Sequence, residues 1–470
     1  MCVYAINDPE TTSAQLATVY NLAALKFETV FQYGALIILV FLVSIALSKV
    51  GNKKINVAGA SEYSLLSWSS MLFAAGMGAS ILYWSPIEWA AYYSGPPFDL
   101  EVGSDEALLT INTYTSFHWG FSGWAIYALP AVAFAIATTL NKSTPLTFGS
   151  LLIHKDLPFN NFLKSLFDVF FIFGILAGAG VALGLSFPLI AEVIANLLGI
   201  PSSLVLEMII LLICLTIITT SAYLGITKGI KRLSNINIVL VIMLLIFVLL
   251  VGPTQYIIST SFDVMVNYVQ DFIKMSTYTG SQFVQSWTVF YWAWWLALAP
   301  YLGVFFVNIS NGKSIRQLIL GTIIIGGVGS ILHFLIIGNY SLHLFETGAL
   351  DLPTLLANER PTKVIVDVIS SLPLNTLMLT IYGIISIIFL CTTYDSCAFI
   401  LSKTAMKTPD MEPSKILRIV FSALLVVQPA ILMYLGGLQT VKYMLVITSI
   451  PLIFINILLI GYIFKNVQKI

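Results

Sequence analysis

The chain has 470 residues, 58% of them hydrophobic and 9% charged, with a mean hydropathy of +0.93. A soluble domain carries about a quarter charged residues, so the composition excludes a soluble core and requires a protein that lives in a bilayer. The 22 Lys and Arg balance the 22 Asp and Glu, which leaves no electrostatic argument for nucleic acid.

Apolar stretches of about 20 residues recur along the whole length and predict eleven spanning helices. In chain order they centre on residues 32–48, 65–90, 117–139, 169–198, 204–223, 237–251, 287–307, 318–337, 374–401, 416–435 and 444–464. Between the sixth and seventh, the mixed polar and apolar pattern of 262–283 predicts an interfacial helix. The connection 339–373 holds Asp351, Glu359, Arg360 and Lys363 and predicts short external helices. Nothing marks a separate soluble domain. The N-terminus has no basic segment leading into an apolar core, so no cleaved signal peptide is expected. Cys2, Cys214, Cys391 and Cys397 lack metal or redox spacing and read as reduced packing residues.

With the first span running inward, Lys and Arg divide 17 on the cytoplasmic side against five outside: Lys26, Lys274, Arg360, Lys363 and Lys442. That bias predicts a cytoplasmic C-terminus and an external N-terminus.

Aromatic residues cluster inside two spans, as SFHWGFSGWAIY at 116–127 and WTVFYWAWWLALAP at 287–300. Rings at span ends form lipid-interface belts, whereas rings within spans build a cage for something that crosses. A π-face attracts a cation without supplying a fixed anion, so the cage reading implies a small organic cation. On an ideal helix Trp119, Trp124 and Tyr127 fall within an arc of about 140°, so one face could present all three.

Two spans hold features that a membrane helix avoids. In the second, Ala74 to Ser80 reads AAGMGAS, with Trp84-Ser85-Pro86 following. Two readings stand: local unwinding that frees carbonyls for an ion, or close helix packing through small residues. In the ninth, Thr392, Thr393 and Asp395 lie in a hydrophobic helix. An intramembrane acid is a functional hypothesis by default, but Asp395 is better read as capping or pairing locally. The threonine hydroxyls suit a hard cation such as sodium.

These segments carry a resemblance. AAGMGASILYW at 74–84, HWGFSGWAIYALP at 118–130, FYWAWW at 290–295, NISNGKSIRQLILG at 308–321 and TTYDS at 392–396 make the chain similar to the betaine/choline/carnitine transporter family from about residue 32 to 464. The resemblance implies an all-α integral membrane protein of LeuT-like architecture, in which two inverted five-helix repeats meet at a midplane site. It divides the chain into an N-terminal segment with the first span (1–63), repeat one (64–252), the interfacial helix (253–284), repeat two (285–464) and a cytoplasmic tail (465–470). The family's first helix would be missing here, by nature or by a late recorded start. The short C-terminus departs from members with a long basic tail that senses osmotic stress, so activation by such a tail is not expected.

Carried over residue by residue, the family's aromatic box falls on Trp119, Trp124, Tyr127 and Trp295, with Phe290 and Trp294 beside it and the backbone of Gly76, Met77, Gly78 and Ser80 near the substrate. Leu298 stands where betaine and carnitine carriers usually place a further aromatic. Phe290, Trp294 and Leu298 form one i, i+4, i+8 stripe, so a ring is lost from the path. No arginine in the spans offers itself to a substrate carboxylate, which leaves the backbone at 76–80 as its expected partner. The family's sodium ligands map to the carbonyls of Ala74, Met77 and Phe389 and the hydroxyls of Thr392 and Thr393. Sodium-independent exchangers of the family set an arginine from the fourth span there, and this chain has no Arg or Lys between Ser165 and Leu198. Asp168 and Glu192, near that span's ends, read as solvated or packing residues.

The expectation is a secondary transporter in the cell's inner membrane. It would import a quaternary-ammonium solute of the glycine betaine, choline or carnitine type, coupled to sodium, as a homotrimer by resemblance. The alternatives are a sodium-independent exchanger, a channel or a non-transporting sensor. No enzyme is expected, since His118, His154, His333 and His343 are scattered and form no catalytic constellation.

Overall fold

Local rules start several of the helices. Ser64 accepts a hydrogen bond from the Ser67 amide to open one helix, and Ser104 does the same for Ala107 ahead of Asp105 and Glu106, whose charges suit a helix N-terminus. Ser314 and Gln317 close a reciprocal capping box. The computed structural model describes residues 9–56, 62–78, 80–141, 146–153, 159–224, 227–406 and 413–470. Ala79 of the small-residue motif lies outside the described residues, as does the side chain of Met77.

The helices in chain order are α1 Pro9–Leu47, α2 Leu65–Met77, α3 Ser80–Trp84, α4 Glu88–Tyr92, α5 Asp105–Trp119, α6 Phe121–Leu140, α7 Phe148–Leu152, α8 Asn160–Leu198, α9 Leu204–Leu224, α10 Thr227–Val251 and α11 Thr254–Thr277. A π-turn at Val284–Thr288 leads into α12 Val289–Ile309. Then come α13 Ile315–Leu320, α14 Gly327–His333 and α15 Asn339–Glu346, joined by π-turns, followed by α16 Leu352–Asn358, α17 Pro361–Ser370, α18 Asn375–Thr404 and α19 Lys415–Asn466. No strand occurs among the described residues. Among the described residues eight helical segments are long and apolar enough to cross a bilayer, which makes the chain an all-helical, multi-pass membrane protein.

Several spans differ from expectation. The second is broken twice, at Gly78 and again between Trp84 and Glu88, as its glycines and Pro86 favour. The third begins well before residue 117, because α5 already runs from Asp105, and Gly120 separates it from α6. The tenth and eleventh are one unbroken 52-residue helix, α19, with no turn between 435 and 444. At 1.5 Å per residue such a helix is about 78 Å long, more than twice the hydrocarbon thickness of about 30 Å. The helix expected over 262–283 is α11, which starts and ends earlier, at Thr254 and Thr277, buries Ile257, Val264, Tyr268 and Met275 and exposes Phe262, Val269 and Ile273. The short helices expected in 339–373 are α15, α16 and α17.

Helix α12 forms the centre, packed along α6 with α8 and α19 beside it. Buried Gln32 of α1 fixes its position. The amide of Gln32 donates to the carbonyls of Met275 and Tyr278 at 2.8 Å, and its oxygen accepts from Trp292 Nε1 at 2.9 Å. Each such net contribution is about 1 kcal/mol, whereas leaving these groups unpaired in the core would cost about 1–3 kcal/mol apiece, so the register of α1 on α12 is well specified.

Candidate functional site

Helix α2 stops at Met77 because Gly78 takes φ +55° and ψ −168°, a conformation that a Cβ disfavours. Beside this break, with α5, α6, α8, α12 and α18 around it, lies a cavity of about 30 Å³. Its wall carries Trp119, Tyr127, Tyr291, Trp294 and Trp295, closed by Leu298 and Ala182, while Ala75, Gly76, Gly78, Ser80 and Thr393 line the side of the break. A volume that small is room for a water or two. A trimethylammonium group enters only when the surrounding helices part.

The indole N–H groups are all fastened away from this space. Trp295 Nε1 donates to the His118 carbonyl at 3.0 Å and Trp294 Nε1 to the Gly178 carbonyl at 3.0 Å. Trp119 Nε1 donates to Glu88 Oε2 at 2.7 Å, a fully buried carboxylate that also accepts from the Tyr92 hydroxyl. Both oxygens of this buried carboxyl group are engaged, and leaving a buried partner unpaired costs about 1–3 kcal/mol, so Trp119 is held firmly. Edge-to-face packing fixes the rings against one another: Trp119 lies 5.8 Å from Trp294 and 6.1 Å from Trp295, near perpendicular to both. What remains for an occupant is π-surface, which suits a cation that makes no hydrogen bonds.

The one-helix arc drawn through Trp119, Trp124 and Tyr127 does not hold, because the break at Gly120 puts Trp119 on α5 and the other two on α6. Nor does Trp124 line the cavity. Its ring is wedged where Cβ atoms at Gly76 and Gly326 would come within 2.4 and 2.1 Å, and its Nε1 donates to Ser330 Oγ at 2.8 Å. It supports Trp295 from behind, 5.8 Å away. Phe290 also stands off the cavity, beside Lys442. Trp294 and Leu298 of the predicted stripe do reach it.

Of the oxygens assigned to sodium, Thr393 Oγ1 is buried with no hydrogen-bond partner among the described residues and lies 3.5 Å from where a Gly78 Cβ would stand. A buried hydroxyl left unpaired costs about 1–3 kcal/mol, which a cation at the break would relieve. Thr392 Oγ1 instead donates back to the Ile388 and Phe389 carbonyls, at 2.9 and 3.1 Å, and must rotate to serve as a ligand. Phe389 and Ala74 are buried on the same two helices, α18 and α2, which pack together. The two acids of the fourth span are engaged elsewhere: Glu192 pairs with Arg360 at 2.7 Å, and Asp168 accepts from the Gly149 amide at 2.9 Å.

Sequence reasoning missed Tyr291 and Glu88. Tyr291 sits inside the quoted FYWAWW motif, one residue from Phe290, and only the helix phase separates the two. Glu88 had a signal, since it is a carboxylate within an apolar span flanked by Trp84, Trp89 and Tyr92.

The profile of the betaine/carnitine/choline family transporters matches residues 1–470. The chain belongs to this family. A carnitine transporter of Acinetobacter baumannii is 31% identical over 437 residues, covering 91% of this chain and 79% of that protein. A glycine betaine transporter, OpuD of Bacillus subtilis, is 29% identical over 87% of this chain and 80% of its own length. An ectoine/hydroxyectoine transporter of Virgibacillus pantothenticus is 26% identical over 98% and 92%. Among solved structures, a Na+-coupled sialic acid symporter aligns with a TM-score of 0.49 and 11% identity over 93% of this chain and 85% of that one, too distant to carry an argument. As a member of this family, the protein is a membrane transporter.

Proposed function

We propose that this transporter moves a compatible solute bearing a quaternary or comparably delocalised cation, such as glycine betaine or carnitine, by alternating access, and couples it to sodium. The observation that carries the reading is the cavity at the Gly78 break. There the ring faces of Trp119, Trp294 and Trp295 converge with every indole N–H already bonded elsewhere, and the unpaired hydroxyl of Thr393 lies on the opposite side. Relatives named for carnitine, glycine betaine and ectoine transport support the same solute class. The inverted repeats are proposed to be 64–252 and 285–464, rocking about this site with the cytoplasmic face set by the excess of Lys and Arg. The missing ring at Leu298 favours solutes with fewer methyl groups than a cage of full aromatic complement would.

Uptake into proteoliposomes tests the proposal. Saturable accumulation of glycine betaine, driven by an inward sodium gradient and abolished in potassium buffer, is the expected result. Equal uptake without sodium would leave the solute reading and remove the coupling, turning the account toward a sodium-independent exchanger. No uptake of any quaternary-ammonium solute would remove both.

A further inference from the structure

Next to the aromatic cavity lies a second and larger space of about 380 Å³, between α3, α4, the start of α12, the short helices α16 and α17, and α19. It has the volume of an ordinary small-molecule site. Tyr83, Trp84 and Trp287 form much of its wall, and Lys442 stands at its edge. Trp84 packs edge-on against Tyr291 at 6.3 Å, and Tyr291 lines the smaller cavity, so this pair of rings stands between the two spaces.

Lys442 is unlike every other lysine described in the chain. It is only 9% exposed, and its Nζ lies 4.2 Å from the ring centre of Trp287, 4.4 Å from that of Phe290 and 5.4 Å from that of Trp84. Among the described residues no carboxylate comes within 4.0 Å of it; Glu88, buried behind the same rings, acts on it only at longer range. An ammonium held against three π-faces already fills them as a cation would. A second cation is repelled from that spot, and an anion is drawn to it with little water to compete.

We infer that Lys442 and the vestibule around Trp84 and Trp287 form a binding site for the carboxylate of a zwitterionic solute, which selects betaines over alcohols such as choline before the cation passes to the inner cage. The inference rests on the solute class proposed above and supplies the carboxylate partner that no arginine in the spans provides. Carnitine, glycine betaine and ectoine, for which the relatives are named, all carry a carboxylate. Choline carries none.

The test is equilibrium binding in detergent, read by the fluorescence of Trp84 and Trp287 beside the lysine, for the parent, Lys442→Gln and Lys442→Arg. Glycine betaine should bind Lys442→Gln at least fivefold more weakly while choline binding is unchanged or tighter, and Lys442→Arg should stay within about twofold of the parent. An equal loss for both solutes, or no loss, would overturn the inference. A separate titration uses sodium acetate against sodium chloride at constant ionic strength: acetate should give a saturable response in the parent that vanishes in Lys442→Gln. A response of the same size in both proteins, or one that chloride reproduces, would also overturn it. If Lys442 only balances the charge of Glu88, then Glu88→Gln/Lys442→Gln will regain the preference for betaine; the preference should instead stay lost. A parent that answers acetate but binds neither glycine betaine nor choline would refute the solute class and leave the carboxylate site standing.

Discussion

Thr393 is the side chain at which the proposed ion site can be tested most directly. Its hydroxyl is buried and unbonded beside a helix break, while its neighbour Thr392 satisfies itself on its own helix. Sodium in a low-dielectric site needs several oxygens at once, so removing the one that has no other role should weaken the ion more than the solute. Thr393→Ala is expected to raise the sodium concentration for half-maximal uptake severalfold, with solute dependence recovering as sodium is raised; an unchanged sodium dependence would take Thr393 out of the ion site. Leu298 tests the cage wall from the other side. Leu298→Trp adds a ring to the lining and should shift competition toward trimethylammonium solutes over less methylated ones, whereas identical competition profiles would reduce Leu298 to packing against Gly178.

Among the elements, the broken second span and the α5–α6 corner position the rings. Gly78 holds φ +55° with ψ −168°, an essentially glycine-only conformation that costs a residue with a side chain about 1–3 kcal/mol, so Gly78→Ala should drive the break toward continuous helix. Gly123 lets α6 approach α12, since a Cβ there would fall 2.3 Å from the Trp295 ring. Gly123→Ala should therefore displace Trp295 and weaken solute binding about tenfold or more, with thermal unfolding measured alongside; wild-type affinity would mean that the ring moves without consequence. How much of this was legible follows from the same residues. Hydropathy located most of the apolar helices because bilayer thickness sets helix length, but it divided the continuous α19 in two. The glycines of the second span left unwinding and close packing both open, and in the structure Gly78 ends α2. Helix phase cannot foretell a corner such as Gly120, so the shared face drawn through Trp119 and Trp124 was misplaced. Nor does sequence show which ring points inward: Trp124 and Tyr291 are both aromatic residues of a motif, and only packing against Gly76 and Gly326 makes the first a support and leaves the second on the cavity wall.

Across the whole molecule, the proposal places ion and solute at one break in one helix, and linkage makes whatever effect one has on the other reciprocal, by the same factor. Sodium should tighten solute binding, and solute titrations with and without sodium will read the factor; a factor of one would separate the two sites. The central claim is that the ring faces at the Gly78 break hold the cation. Trp295 is the ring to remove, because it packs against Trp119, Trp124 and Tyr127 and is held by the His118 carbonyl. Equilibrium binding of glycine betaine to folded Trp295→Ala should be at least tenfold weaker than to the parent, a loss of about 1.4 kcal/mol, with Trp295→Phe in between. Unchanged affinity in folded Trp295→Ala would contradict the account.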